Sequence, residues 1–168
     1  MTRTFNDLYA HELEMLVSAE SQMIDLLPKL AAGTDTVELQ RALLAQVESC
    51  ANQLAMLHAL LQDAGKPLAV PLSKGIHSLL QECSELLKTF PTGNLRDAVM
   101  IAHMQRAEHY KMAAYASVQE YAGLLGDKAA AEQLKDAGKA VTLISKTLGS
   151  IAIQINAEAY VDTRVEGT

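Results

Sequence analysis

Tryptophan is absent, phenylalanine occurs twice, and aromatic residues are 4% of the chain. No stretch alternates apolar and polar residues with the period of a strand. The two cysteines, Cys50 and Cys83, are too few for a disulfide framework and read as buried thiols of a reducing compartment. There is no CxxC pair, no glycine-rich phosphate loop and no nucleophile elbow. No run of about 18 apolar residues is free of charge, and the segment MTRTFNDLYAHELE has no apolar signal core, so a cytoplasmic protein is expected. Basic residues are outnumbered, 14 against 20, for a net charge of −6. That balance argues against nucleic acid or an anionic membrane as the main partner.

What the chain has is helix-forming residues. It is 49% hydrophobic over 168 residues, rich in Ala, Leu, Met, Gln and Glu, and long enough for one domain with its own core. Residues 4–31 predict a first helix, capped by Thr4 or Asn6, with the seam Leu13, Val17, Glu20, Ile24, Leu27. Residues 36–64 predict a second, with the seam Leu43, Val47, Cys50, Leu54, Leu57, Leu61 and Glu48 on its flank. KPLAVPLSKG is a connection, and residues 73–89 predict a short helix inside it. Asn94 is the expected cap of a third long helix, with the seam Ile101, Gln105, Glu108, Met112, Tyr115. A fourth, from about 128 to 158, carries the wholly apolar seam Leu134, Ala137, Val141, Ile144, Leu148, Ile151, Ile155 before a polar, frayed tail over about 160–168. Two helical hairpins joined by a long connection make an all-α four-helix bundle with one crossover, the ferritin-like arrangement, as a single domain over 1–168.

Glu20 and Glu108 thus fall in apolar stripes, and Glu48 beside one, each near the middle of its helix. A buried carboxylate needs a proton, a cation or a metal. Glu20, Glu48 and Glu108 are therefore candidate metal ligands. A di-metal bundle takes a Glu from each of two helices and a Glu-x-x-His from each of two others, because residues three apart share a face. Here the positions three after Glu48 and Glu108 are Ala51 and Lys111, and no histidine follows His109. The other four histidines, 11, 58, 77 and 103, stand singly without partners at ligand spacing. Tyr110 and Tyr115 are placed to hydrogen-bond a buried carboxylate.

The stretches SAESQ (18–22), LLAQVESCANQ (43–53), RDAVMIAHMQRAEHYKMAAYAS (96–117) and AAEQLKDAG (130–138) resemble the YciE/YciF family of bacterial ferritin-like, stress-associated proteins. The likeness runs from residue 4 to about 150, and Gln105, Glu108, His109, Tyr110 and Tyr115 are its most specific part. It implies a ferritin-like fold and a metal-binding ancestry. Ala19 and Glu20 match the family's Ala-Glu pair, Glu48 matches half of its Glu-x-x-His, and its Glu-His-Tyr-Glu is matched through Tyr110 and broken at Lys111. Lys139, Ala140 and Val141 stand where the family carries an acidic cluster.

Two functions follow as expectations. In the first, the protein is a non-enzymatic structural or interaction module without a cofactor, its old site plugged by Lys111 or Lys139. In the second, it is a di-iron or di-manganese oxidoreductase using Glu20, Glu48 and Glu108. A homodimer is expected, on the ground that Leu8, Tyr9, Leu60, Met100, Met104 and Val118 lie off or at the ends of the seams.

Overall fold

The computed structural model describes residues 3–165, with side chains through 162. Five helices follow in order: α1 (Phe5–Ala31), α2 (Val37–Asp63), α3 (Lys74–Leu86), α4 (Asn94–Leu124) and α5 (Lys128–Val165). Among the described residues there is no strand, and no helix is long and apolar enough to cross a membrane.

Local chemistry sets the helix ends. The Thr4 hydroxyl accepts from the Asp7 amide at 3.2 Å while the Asp7 carboxylate accepts from the Thr4 amide at 2.9 Å, which satisfies two orphan donors of the first turn. Gly126, at φ +85°, turns the chain between α4 and α5, a conformation a side chain would strain. Asp127 then caps α5 by accepting from the Ala130 amide at 2.9 Å. Two expectations need correcting. The cap of α4 is Gly93, and Asn94 is already in the helix, where its amide donates to Asp162 on α5. That contact, with Ala159 buried, carries α5 beyond 158 to Val165 in place of a frayed tail. Residues 166–168 of the expected tail lie outside the described residues.

The helices pair as two antiparallel hairpins, α1 with α2 and α4 with α5. They are registered by contacts at both ends. Phe5 meets Tyr121 edge-on at 5.0 Å, where α1 begins and α4 ends. At the other end Asp97, in the first turn of α4, accepts from the Thr34 and Thr36 hydroxyls of the α1–α2 turn at 2.6 and 2.7 Å. The crossover from 64 to 93 therefore returns along the bundle, and its helix α3 lies against α1 and α4. Ile76, Leu80 and Cys83 are buried there. Ser73 bonds Ser18 through its amide and Tyr110 through its hydroxyl. Gly75 permits this, since a Cβ at that position would stand 2.9 Å from the Tyr110 ring.

Five of the six residues expected to form a dimer patch are internal to one chain: Tyr9, Leu60, Met100, Met104 and Val118 are buried, and only Leu8 is exposed. For Met100, Met104 and Val118 the cause is the phase of α4. One row of its buried positions runs 97, 101, 104, 108, 111, 115, 118, 122, an alternation of four and three with Met100, His103 and Ala107 buried beside it, and Gln105 and Met112 are only half-buried. The core itself is two apolar clusters, one around Met23, Leu43, Met104 and Leu148, the other around Leu13, Leu57, Val118 and Val141.

Asp97 ties the α1–α2 turn to α4 at 2% exposure. Asp97→Ala strips the buried Thr34 hydroxyl and the half-buried Thr36 hydroxyl of their acceptor and is expected to destabilise by about 1.5–3 kcal/mol, read as a lower urea midpoint at unchanged slope.

Candidate functional site

Between the two apolar clusters lies one polar layer. Glu20 comes from α1, Gln46, Cys50 and Gln53 from α2, and Glu108, Lys111 and Tyr115 from α4. Glu20, Glu108 and Lys111 are each 0% exposed. Glu108, Lys111 and Tyr115 share a face of α4 because they are three and four apart. Gln46, Cys50 and Gln53 share a face of α2 for the same reason.

The Lys111 ammonium stands 2.9 Å from Glu20 Oε2 and 3.3 Å from Glu108 Oε1, so one cation joins carboxylates from two helices. Its nitrogen also lies 3.6 Å from Cys50 Sγ. Glu20 is fully supplied. Tyr115 donates to Oε1 at 2.8 Å, and Gln53, with its amide nitrogen turned to the carboxylate, donates to Oε1 at 2.8 Å and Oε2 at 3.3 Å. Glu108 is not. Gln46 Nε2 and Lys111 both serve Oε1, while Oε2 has no donor, and Gln46 Oε1 is unpartnered as well.

Burial opposes the charge on Lys111, but Glu20 and then Glu108 outweigh it and hold the amine above the ordinary lysine range. The site therefore contains a permanent ammonium. Burial pushes the Glu108 carboxyl up to about 6, against the pull of Lys111. Burial, followed by the Glu20 charge, pushes the Tyr115 phenol far up and keeps it a donor. The Cys50 thiol is likewise driven well up by burial despite the nearby ammonium, so it is a neutral thiol and a poor nucleophile.

Of the three expected ligands, the structure brings Glu20 and Glu108 to one site and leaves Glu48 out. Glu48 is exposed, because it lies two residues from Gln46, about 200° round the helix. Lys111 is in the site, whereas Lys139 is exposed and paired with Asp136 at 2.7 Å. Tyr115 bonds the carboxylate; Tyr110 serves the crossover instead. Gln46 and Gln53 were missed by reading the α2 seam through Val47 and Leu54, which are half-buried. The signal for them was a second four-three alternation, 39, 43, 46, 50, 53, 57, 60, one position out of phase with the most apolar choice.

These residues do not fit a di-metal centre. The donor set is two carboxylates, two amides, a neutral thiol and a phenol, with an ammonium at hydrogen-bond distance from both carboxylates. An ammonium there repels a divalent ion at the place one would sit. Among the described residues no group of three or more His, Cys, Asp or Glu is arranged to hold a metal ion.

The model of the family described as a domain of unknown function, DUF892, matches residues 4–160. Protein YciF of Escherichia coli K12 is 30% identical over 136 residues, covering 80% of this chain and 81% of that one. The crystal structure of the E. coli stress protein YciF superposes with a TM-score of 0.87 at 27% identity, over 93% of this chain and 99% of that one. YcfI from Rhodopseudomonas palustris shares the fold, with a TM-score of 0.83 at 24% identity over 88% and 94% of the two chains.

Two outcomes are expected. Lys111→Met leaves two carboxylates buried without their cation and should destabilise by about 3–5 kcal/mol in urea unfolding. The second concerns pH. Because the folded Glu108 carboxyl titrates at about 6, above its ordinary 4.5, the folded state binds more protons between those values. Stability contributed at this position is thus greatest below that window and falls as pH rises through it, by about 2 kcal/mol. Unfolding free energies across the window, compared with those of Glu108→Gln, should show the wild-type difference shrinking with rising pH.

Proposed function

The chain belongs to the DUF892 family, and we propose that it is a non-enzymatic, metal-free member of it, a structural or interaction module whose own lysine stands in for the metal. The observation that carries this reading is the Lys111 ammonium, within 2.9 and 3.3 Å of the two buried glutamates. Two divalent ions need on the order of ten ligand positions, which four-helix sites fill largely with six residues. This layer offers two carboxylates, and the facing seam of α5 is hydrocarbon and one serine, Ser145.

In this reading the module has a stress-associated role, by likeness to the E. coli stress protein YciF, and works in the cytoplasm. The free, buried thiols of Cys50 and Cys83 support that location, since a reducing compartment keeps them unpaired. The protein acts as a homodimer in this reading. Its support is the exposed Leu44 of α2 with Leu143 and Ile153 of α5, which replace the buried residues first expected there.

Metal analysis by mass spectrometry after dialysis tests the central point. The unmodified protein should hold less than about half an equivalent of iron, manganese or zinc per chain. Lys111→His combined with Gln46→Glu should gain divalent metal, because it creates a Glu-x-x-His pair and a third inward carboxylate. Stoichiometric metal in the unmodified protein would overturn the reading.

A further inference from the structure

We propose that the groove between α4 and α5 binds a medium-chain fatty carboxylate, its head at the ammonium of Lys146 and its alkyl chain along Met112 and Ala116. The site lies outside the polar layer and is independent of the metal-free reading.

The groove has a volume of about 570 Å³, within the range of small-molecule sites. Met112, Ala116 and Gln119 of α4 line one side, and Lys139, Thr142 and Lys146 of α5 the other. Tyr115, 1% exposed, is its floor. A Cβ on Gly138 would stand 3.5 Å from Tyr115 Cβ, so the two helices meet there, and the Tyr115 hydroxyl is turned inward to Glu20. A ligand in the groove therefore needs nothing from the buried layer. Leu143, 65% exposed, lines this groove and the α2–α5 groove alike and is the ridge between them. Leu44 and Ile153 do not line it, so the groove and the assigned dimer patch share that one side chain.

Charge selects the occupant. The chain has a net charge of −6, yet every charged residue of this groove, Lys135, Lys139 and Lys146, is basic. No Asp or Glu occurs on α5 from 137 to 157. Glu132 meets Lys135 at 2.9 Å and Asp136 meets Lys139 at 2.7 Å, whereas among the described residues Lys146 has no carboxylate partner. One uncompensated ammonium suits one negative charge, a carboxylate rather than a doubly charged phosphate. A bare anion would leave the apolar wall of Met112 and Ala116 in water, so the anion carries an alkyl chain. Lys146 and Lys135 are eleven residues apart, about 16 Å along the helix, which fits a chain of medium length. The methylene stems of Lys139 and Lys135 border that path and add apolar cover.

The test is an NMR titration of protein labelled at methionine methyls and backbone amides. The probes are decanoate, acetate, decyltrimethylammonium and decyl phosphate, each below its micelle concentration. Light scattering on the same samples reads the oligomeric state. Decanoate is expected to give saturable shifts at the Met112 methyl and the Ala116 amide, with a Kd on the order of 0.1 mM. Acetate and decyltrimethylammonium should bind at least about tenfold more weakly, the first lacking the chain and the second the sign. Lys146→Gln should weaken decanoate about fivefold and Lys146→Arg leave it unchanged. Ala116→Glu, which puts a like charge in the path of the chain, should abolish binding. Lys146 and Ala116 are both exposed, so these variants keep the fold. Equal binding of decyltrimethylammonium, tighter binding of decyl phosphate, or affinity unchanged in Lys146→Gln or Ala116→Glu would overturn the proposal. So would the absence of a saturable shift, or its loss in samples that are dimeric.

Discussion

A single ammonium holds the middle of this bundle together. Lys111 is fully buried, and it is tolerated there only because Glu20 and Glu108 meet it within hydrogen-bond distance. Each of the three groups makes the other two possible. Glu20 without Lys111 would be an uncompensated charge in the core, and Lys111 without the glutamates would lose its proton or its place. The layer also constrains the packing. Apolar seams can slide past one another by a turn at modest cost, but Tyr115, Gln53 and Lys111 reach Glu20 in one register alone. The polar layer thereby sets how α1, α2 and α4 stand relative to each other, with an apolar cluster above and below it.

The crossover makes the bundle unequal on its two sides. Residues 64–93 run back along the α1–α4 face, where α3 buries Ile76, Leu80 and Cys83 and the Ser73 hydroxyl engages Tyr110. The α2–α5 face has no such cover. Small residues line it, Ala42, Ala45 and Ser49 on one helix and Ala140 on the other, and they leave a groove with Gln46 in its lining. The one acceptor of Glu108 that lacks a donor belongs to the carboxylate that Gln46 holds.

A shared fold does not carry a shared chemistry, because chemistry belongs to the site. The likeness to E. coli YciF extends over most of the chain and through the whole bundle. The layer at its centre is built from amides, a phenol and an ammonium around two carboxylates, and Glu48 points away from it. A cation that is covalently part of the chain needs no loading. It also contributes one positive charge to a layer with two carboxylates, where two divalent ions would contribute four.

The sequence by itself determined the helices, their order, the two hairpins and the long crossover. Those features rest on local signals: the Thr4 capping box, the turn at Gly126, the prolines of KPLAVPLSKG, and heptad spacing too regular to be anything else. It also determined that Glu20 and Glu108 face inward and that Lys111 was a candidate plug. The phase of α2 and α4 was decided only in the tertiary structure. Both helices carry apolar residues well round their circumference, so hydrophobicity alone did not pick out the buried stripe. On α2 the choice lay between Val47 and Leu54 on one side and Gln46 and Gln53 on the other. Hydrophobicity favours the first pair, yet the second is buried because the buried glutamates need donors. The same need explains why Glu48, equal to the other two on sequence, stands in solvent: its helix turns amides inward, and a residue two positions from Gln46 cannot follow.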